Sequence, residues 1–105
     1  MNRPIDNKII ETQSNLLSQP LHLPNGNVLR NRLAKAAMSE TLGTYDNRPT
    51  PKLVALYRRW AASGIGLLIT GNIMIDRRAI GEPGNVAIEY ERDLPILQEW
   101  ARAAT

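Results

Sequence analysis

The chain has 105 residues, 43% hydrophobic and 22% charged, which is ordinary globular usage and argues against disorder, collagen and coiled coil. Thirteen Lys and Arg against ten Asp and Glu leave a net charge of +3, and the only tight basic pairs are Arg58-Arg59 and Arg77-Arg78, so no basic face points to nucleic acid. There is no cysteine and one histidine, His22, which excludes disulfides, thiolate chemistry and metal sites rich in Cys or His.

Residues 1–18 are mixed polar, with short apolar patches at Ile9-Ile10 and Leu16-Leu17, and read as an N-terminal arm. The opening MNRPIDNKIIETQ lacks the apolar segment and small-residue cleavage site of a signal peptide. The longest apolar run, around Ile65 to Ile69, falls far short of the roughly 18 residues that suggest a membrane span. A cytoplasmic location with no membrane contact is therefore the expectation.

Asn25-Gly26 between Leu21, Leu23 and Val28 is a strong hairpin signal. An extended piece, Leu33 to Met38, follows almost at once, and residues 39–50 (SETLGTYDNRPT) read as a loop. Thr50-Pro51 supplies a hydroxyl cap and a proline at the first helical position. Leu53, Leu56, Tyr57, Trp60 and Ala61 then recur at helical spacing as one apolar stripe, and Gly64 ends the helix. Gly66 to Ile75 (GLLITGNIMI) is nearly unbroken apolar sequence, which predicts one strand covered on both faces. DRRAIGEPGN reads as a long polar loop. A second helix is expected to begin near Asp93, with Pro95 early and Leu94, Leu97, Trp100, Ala101 and Ala104 as its stripe. It reaches Thr105 without a terminator, as a helix cut short would.

Strand-helix-strand-helix is the pattern of βα units in an α/β fold, either doubly wound or a (β/α)8 barrel. A barrel takes roughly 31 residues per unit, so the stretch from Leu33 onward amounts to about two units. Residues 19–105 thus read as the first two βα units of a TIM-barrel domain, incomplete in this chain. Two such strands leave an apolar edge unpaired, and the isolated chain is expected to be homo-oligomeric, poorly soluble or partly molten.

Gly64-Ile65-Gly66 is not a dinucleotide fingerprint, because it closes a helix and opens a strand, the reverse of what phosphate binding requires. Ligands of parallel βα folds bind at the carboxyl ends of the strands. That rule selects Ala36-Ala37-Met38-Ser39 and Thr70-Gly71-Asn72. Small side chains at 36, 37 and 71 let a flat ring approach the backbone, Met38 offers a polarizable surface, and Ser39 and Asn72 can hydrogen-bond ring groups. Against this, small residues at strand ends commonly serve packing alone, and Asn in a turn commonly bonds its own backbone. His22 reads as a surface or packing residue, and Trp60 and Trp100 as core. Glu40 and Asp46 share a loop, either as carboxylate partners or as solvated acids. No Ser-His-Asp set, phosphate-cradling loop or metal-ligand spacing is present, and no residue is assigned a catalytic role. An enzyme fragment, a small non-enzymatic binding or interaction module, and a piece of another barrel enzyme with Lys35 as its only first-strand lysine all remain open on these grounds.

The order of several spaced motifs goes further. Pro24-Asn25-Gly26, Asn31-Arg32, Tyr57, the pair Gly64 and Gly66, and Gly66-Leu67-Leu68-Ile69-Thr70 together resemble the amino-terminal part of the old yellow enzyme family, over roughly residues 20–104. The resemblance implies an FMN held at the top of a (β/α)8 barrel. It further implies hydride transfer from NAD(P)H through the flavin to an activated alkene, such as an α,β-unsaturated carbonyl compound. Ala36, Ala37, Met38 and Ser39 match a first-strand motif that is usually a small residue, Pro, Met, then Thr or Cys. Ala37 replaces the proline, and Ser39 stands where Thr or Cys tunes the flavin by hydrogen bonding. Asn72 stands where a small Gly or Ala lies against the flavin in many members. The family's third-strand glutamine, histidine pair, tyrosine proton donor and phosphate-binding loops correspond to no residue of this chain, which alone is expected to be inactive.

Overall fold

In the computed structural model, which describes residues 15–105, the chain divides into two units. One runs through Lys35 and takes in Ile65–Leu67; the other comprises Ala36–Gly64 and Leu68–Thr105. Of the expected arm, residues 1–14 lie outside the described residues, and residues 15–18 are helical.

The first unit is organised by turn chemistry. Strands β1 (Leu21–His22) and β2 (Val28–Leu29) pair antiparallel, with Leu21 opposite Leu29 and His22 opposite Val28. Between them the Gly26 amide donates to Leu23 O at 3.1 Å, and the Asn25 side chain accepts from the Asn27 amide at 3.0 Å. Gly26 sits at φ +90°, the left-handed conformation that an Asn-Gly turn demands. Strand β3 (Ala34–Lys35) neighbours β4 (Leu67–Leu68), and the Gly66 and Leu67 amides both donate to Leu33 O. The Asn31-Arg32 pair has a visible structural duty. Asn31 Oδ1 accepts from the Leu33 amide at 3.1 Å, and Arg32 donates to Pro20 O at 3.3 Å. A side chain at Gly66 would come within 2.6 Å of both Asn31 O and Asn31 Oδ1, so only glycine lets these segments approach.

The second unit holds the core. Helix α1 (Pro51–Ala61) starts on Thr50, whose Oγ1 accepts from the Leu53 amide at 3.3 Å while its hydroxyl donates to Leu42 O at 2.6 Å. Loss of this cap in Thr50→Ala should cost about 1 kcal/mol in urea denaturation; an unchanged midpoint would deny the cap its role. Leu53, Val54 and Tyr57 are buried on the inner face of α1, and each large apolar group so removed from water contributes about 1.5–3 kcal/mol. They cluster with Val86 and Trp100, and Trp60, Leu68, Ile73, Ile88, Ile96, Leu97, Ala103 and Ala104 pack around them. Tyr57 sits edge-on between Trp60 and Trp100, at centroid distances of 5.1 and 5.2 Å.

Three expectations are corrected. Leu33–Met38 keeps strand pairing only over Ala34–Lys35, and Leu33 and Met38 are exposed. The apolar run 66–75 is two strands, β4 and β5 (Ile73–Met74), broken around Gly71. Moreover β5 pairs parallel with β6 (Val86–Ala87), a strand directly after the expected long loop, with Ile73 opposite Val86 and Met74 opposite Ala87. The run is also not covered on both faces, since Leu67, Ile69 and Ile75 are exposed. Helix α2 (Leu94–Ala104) begins after Asp93 as expected, but its stripe is turned. Leu94 and Ala101 face solvent, whereas Ile96 and Ala103 join Leu97, Trp100 and Ala104 on the packed side. Asp93, buried just before α2, accepts a 2.7 Å hydrogen bond from Arg48 Nε, which anchors the helix entry.

Candidate functional site

The segments selected by the strand-end rule belong to the second unit and meet there. Ala36, Ala37, Met38 and Ser39 follow β3 as four consecutive exposed residues, and Asn72, also exposed, follows β4. Asn72 Nδ2 donates to Ser39 Oγ at 2.7 Å and to Glu82 Oε1 at 3.1 Å. The Ser39 hydroxyl in turn donates to Glu82 Oε1. Thus two of the expected polar residues, 33 positions apart, form one cluster together with Glu82. Ala36 and Ala37 contribute no polar side-chain atom, and Met38, the residue before Ser39, is half-exposed.

Beneath this surface lies a hub that the sequence does not reveal. The Tyr57 hydroxyl donates to Glu40 Oε1 at 2.9 Å and accepts from the Gly71 amide at 3.1 Å. One phenol from the middle of α1 thereby ties the end of the first site segment to the turn that carries Asn72. The same bond explains the break between β4 and β5. The Gly71 N–H is satisfied by a side chain instead of a ladder, and the backbone turns aside. A Cβ on Gly71 would overlap both Met38 O and Glu40 Oε2, so glycine is required for the two segments to touch. Burial pushes the Tyr57 hydroxyl up to about 12; the Glu40 carboxylate adds to the rise, and the Gly71 amide opposes it.

The two carboxylates that share the 39–50 loop part company. Glu40 goes to Tyr57, whereas Asp46 accepts from the Thr44 hydroxyl at 2.5 Å, a bond that holds its carboxyl below the usual range. His22 is exposed in β1, and Trp60 and Trp100 pack in or against the core as expected. Among the described residues no group of three or more His, Cys, Asp or Glu could hold a metal ion, and no helix is long and apolar enough to cross a membrane. Tyr57 was visible as a member of an apolar stripe and of the spaced motifs, but not as a hydrogen-bonding hub. Nothing local marks Glu82, because its partners are 43 and 10 residues away.

No protein-family model matches the chain. Individual proteins do. The NADH-dependent flavin oxidoreductase iliE of Hypocrea jecorina is 39% identical over 88 residues, covering 83% of this chain and 22% of that protein. The NADH:fumarate oxidoreductase of Klebsiella pneumoniae is 36% identical over 92 residues, covering 88% of this chain and 10% of that protein. Among solved structures, the old yellow enzyme homologue from Zymomonas mobilis superimposes with a TM-score of 0.69 at 25% identity, covering 83% of this chain and 25% of that one. The likeness supports a fragment of the old yellow enzyme family. The old yellow enzyme from Trypanosoma cruzi, at a TM-score of 0.72, 22% identity and 86% of this chain, shares its fold. The βα units of this chain are therefore a portion of a (β/α)8 barrel, about a quarter of the length of those structures.

Proposed function

We propose that this chain supplies one edge of the flavin pocket of an FMN-dependent NADH oxidoreductase that reduces activated alkenes such as α,β-unsaturated carbonyl compounds. The observation that carries the reading is the 2.7 Å bond from Asn72 to Ser39, which joins the segments after β3 and β4 into one surface. The residues suit the group. Ala36, Ala37 and Met38 make an exposed, largely apolar ledge on which a flat ring can lie, bordered by a hydroxyl and an amide. When bound, FMN would accept hydride from NADH and deliver it to the alkene, the chemistry being the cofactor's own. Ala36 and Ala37 would admit the ring by lacking bulk, Met38 would offer it a polarizable surface, and Ser39 and Asn72 would hold its polar rim. Tyr57 and Glu40 hold both segments in place from below. The likeness to old yellow enzymes and the names of the relatives, NADH-dependent flavin oxidoreductases among them, support the same reading.

Flavin fluorescence and absorbance test it at two lengths. The isolated chain spans 22% of its Hypocrea relative, so titration of FMN with it should leave the fluorescence nearly unchanged and give no NADH turnover. In a flavin-loaded protein that carries this sequence at the length of its relatives, Asn72→Ala should weaken FMN binding about 2- to 10-fold, the worth of one hydrogen bond. Ser39→Ala should alter the reduction potential. If neither substitution changes affinity, spectrum or potential, the site assignment is wrong.

A further inference from the structure

The two polar residues of the proposed flavin edge already share hydrogen bonds with one another and with a third side chain. A serine hydroxyl carries one proton, and that of Ser39 is donated to Glu82 Oε1. The Asn72 amide nitrogen is the cluster's other donor, and it is directed at Ser39 Oγ and at the same Glu82 oxygen, at 2.7 and 3.1 Å. What the three side chains have left over are the second Asn72 amide hydrogen, one lone pair of Ser39 Oγ, Asn72 Oδ1 and Glu82 Oε2. Glu82 reaches this position from the β5–β6 connection, with the side chain exposed and therefore free to swing out at little packing cost. A carboxylate is a stronger acceptor than a neutral carbonyl, so it competes well for both donors.

From this arrangement we infer that Glu82 is a positioning residue that competes with the flavin for the Ser39 and Asn72 donors. It thereby sets how strongly those two residues hold and polarise the ring. The inference rests on the flavin reading given above and deepens it. With Glu82 in place, Ser39 acts on the ring chiefly as an acceptor, which disfavours electron gain there. With Glu82 displaced, the hydroxyl and the amide become donors to the ring carbonyls and favour the added negative charge of the reduced flavin. The carboxylate itself opposes that negative charge at short range, so removing it acts in the same direction.

The test is a double-substitution cycle in the flavin-loaded, full-length protein, read by midpoint potential, visible absorption spectrum and FMN dissociation constant. Glu82→Ala should raise the potential and tighten FMN binding about three- to tenfold, as hydrogen bonds now spent within the protein turn to the ring. Ser39→Ala should shift the potential more in the Glu82→Ala background than in the wild type, because only there is the hydroxyl proton released. Glu82→Gln, which keeps an acceptor but drops the charge, should fall between the two. Equal Ser39→Ala shifts in both backgrounds, or no response to Glu82→Ala while Asn72→Ala still perturbs the flavin, would overturn the role of Glu82 and leave the flavin reading standing. Silence of Ser39→Ala and Asn72→Ala in every background would remove both.

Discussion

Gly71→Ala should destabilise the protein by about 3 kcal/mol or more, at or beyond the upper end of ordinary overpacking costs. The added methyl would overlap Met38 O and Glu40 Oε2 at once. Met38 O is backbone and cannot swing away as the tip of a flexible side chain can. Glu40 is held through its other oxygen by the Tyr57 hydroxyl. Relief therefore requires the turn at 71 to back away from the segment at 38–40, which also breaks the Gly71–Tyr57 bond and separates Asn72 from Ser39. Urea denaturation reads the stability loss, and FMN affinity in a protein that carries this sequence at the length of its relatives reads the separation proposed above. A variant as stable as the wild type would show that the two segments do not meet as described.

Tyr57 carries the second large effect, and two substitutions split it into parts. Tyr57→Ala removes a side chain with no exposed surface, together with edge contacts to both tryptophans, and should cost about 3–5 kcal/mol. Tyr57→Phe keeps the ring but leaves Glu40 Oε1 and the Gly71 amide without their shared partner, at about 1–3 kcal/mol for each buried group left unsatisfied. The hydroxyl also predicts a pH dependence. Its value is about 12 in the folded protein against 10.0 for an ordinary tyrosine, so the folded state holds the proton more tightly. The stability this provides is complete below pH 10.0 and is lost as pH rises from there to about 12. Tyr57→Phe should lack this component, so the gap between wild type and variant in denaturation midpoint should narrow above pH 10. Parallel declines in the two proteins would show that the phenol is not responsible.

Features that depend on a few neighbouring residues were legible in the chain alone. Asn25-Gly26 prescribed its hairpin because few dipeptides tolerate the left-handed turn, and Thr50-Pro51 prescribed a helix start because cap and ring act within one turn. The spacing of Leu53, Tyr57 and Trp60 identified the packed face of α1, although it omitted Val54, which flanks that stripe and is buried as well. The strand-end rule, together with the motifs shared with old yellow enzymes, led to Ser39 and Asn72, which the fold does bring into contact.

Tertiary structure decided the rest, wherever the outcome turned on a partner distant in sequence. An apolar run such as 66–75 reads as a single strand, because hydrophobicity reports burial and not where a ladder is interrupted. The interruption comes from a tyrosine hydroxyl 14 residues away capturing the Gly71 amide. Val86–Ala87 is too short for a periodic signal and becomes a strand only because Ile73–Met74 lies alongside it. The stripe of α2 was misplaced for a similar reason. Leu94 and Ala101 have the right spacing, but the direction from which Tyr57 and the other core residues meet Trp100 selects a neighbouring arc of the helix. Glu40 and Glu82 looked like two loop acids among others. Only the folded chain gives one a buried phenol and the other a serine and an asparagine, because a carboxylate's role is set by the donors around it.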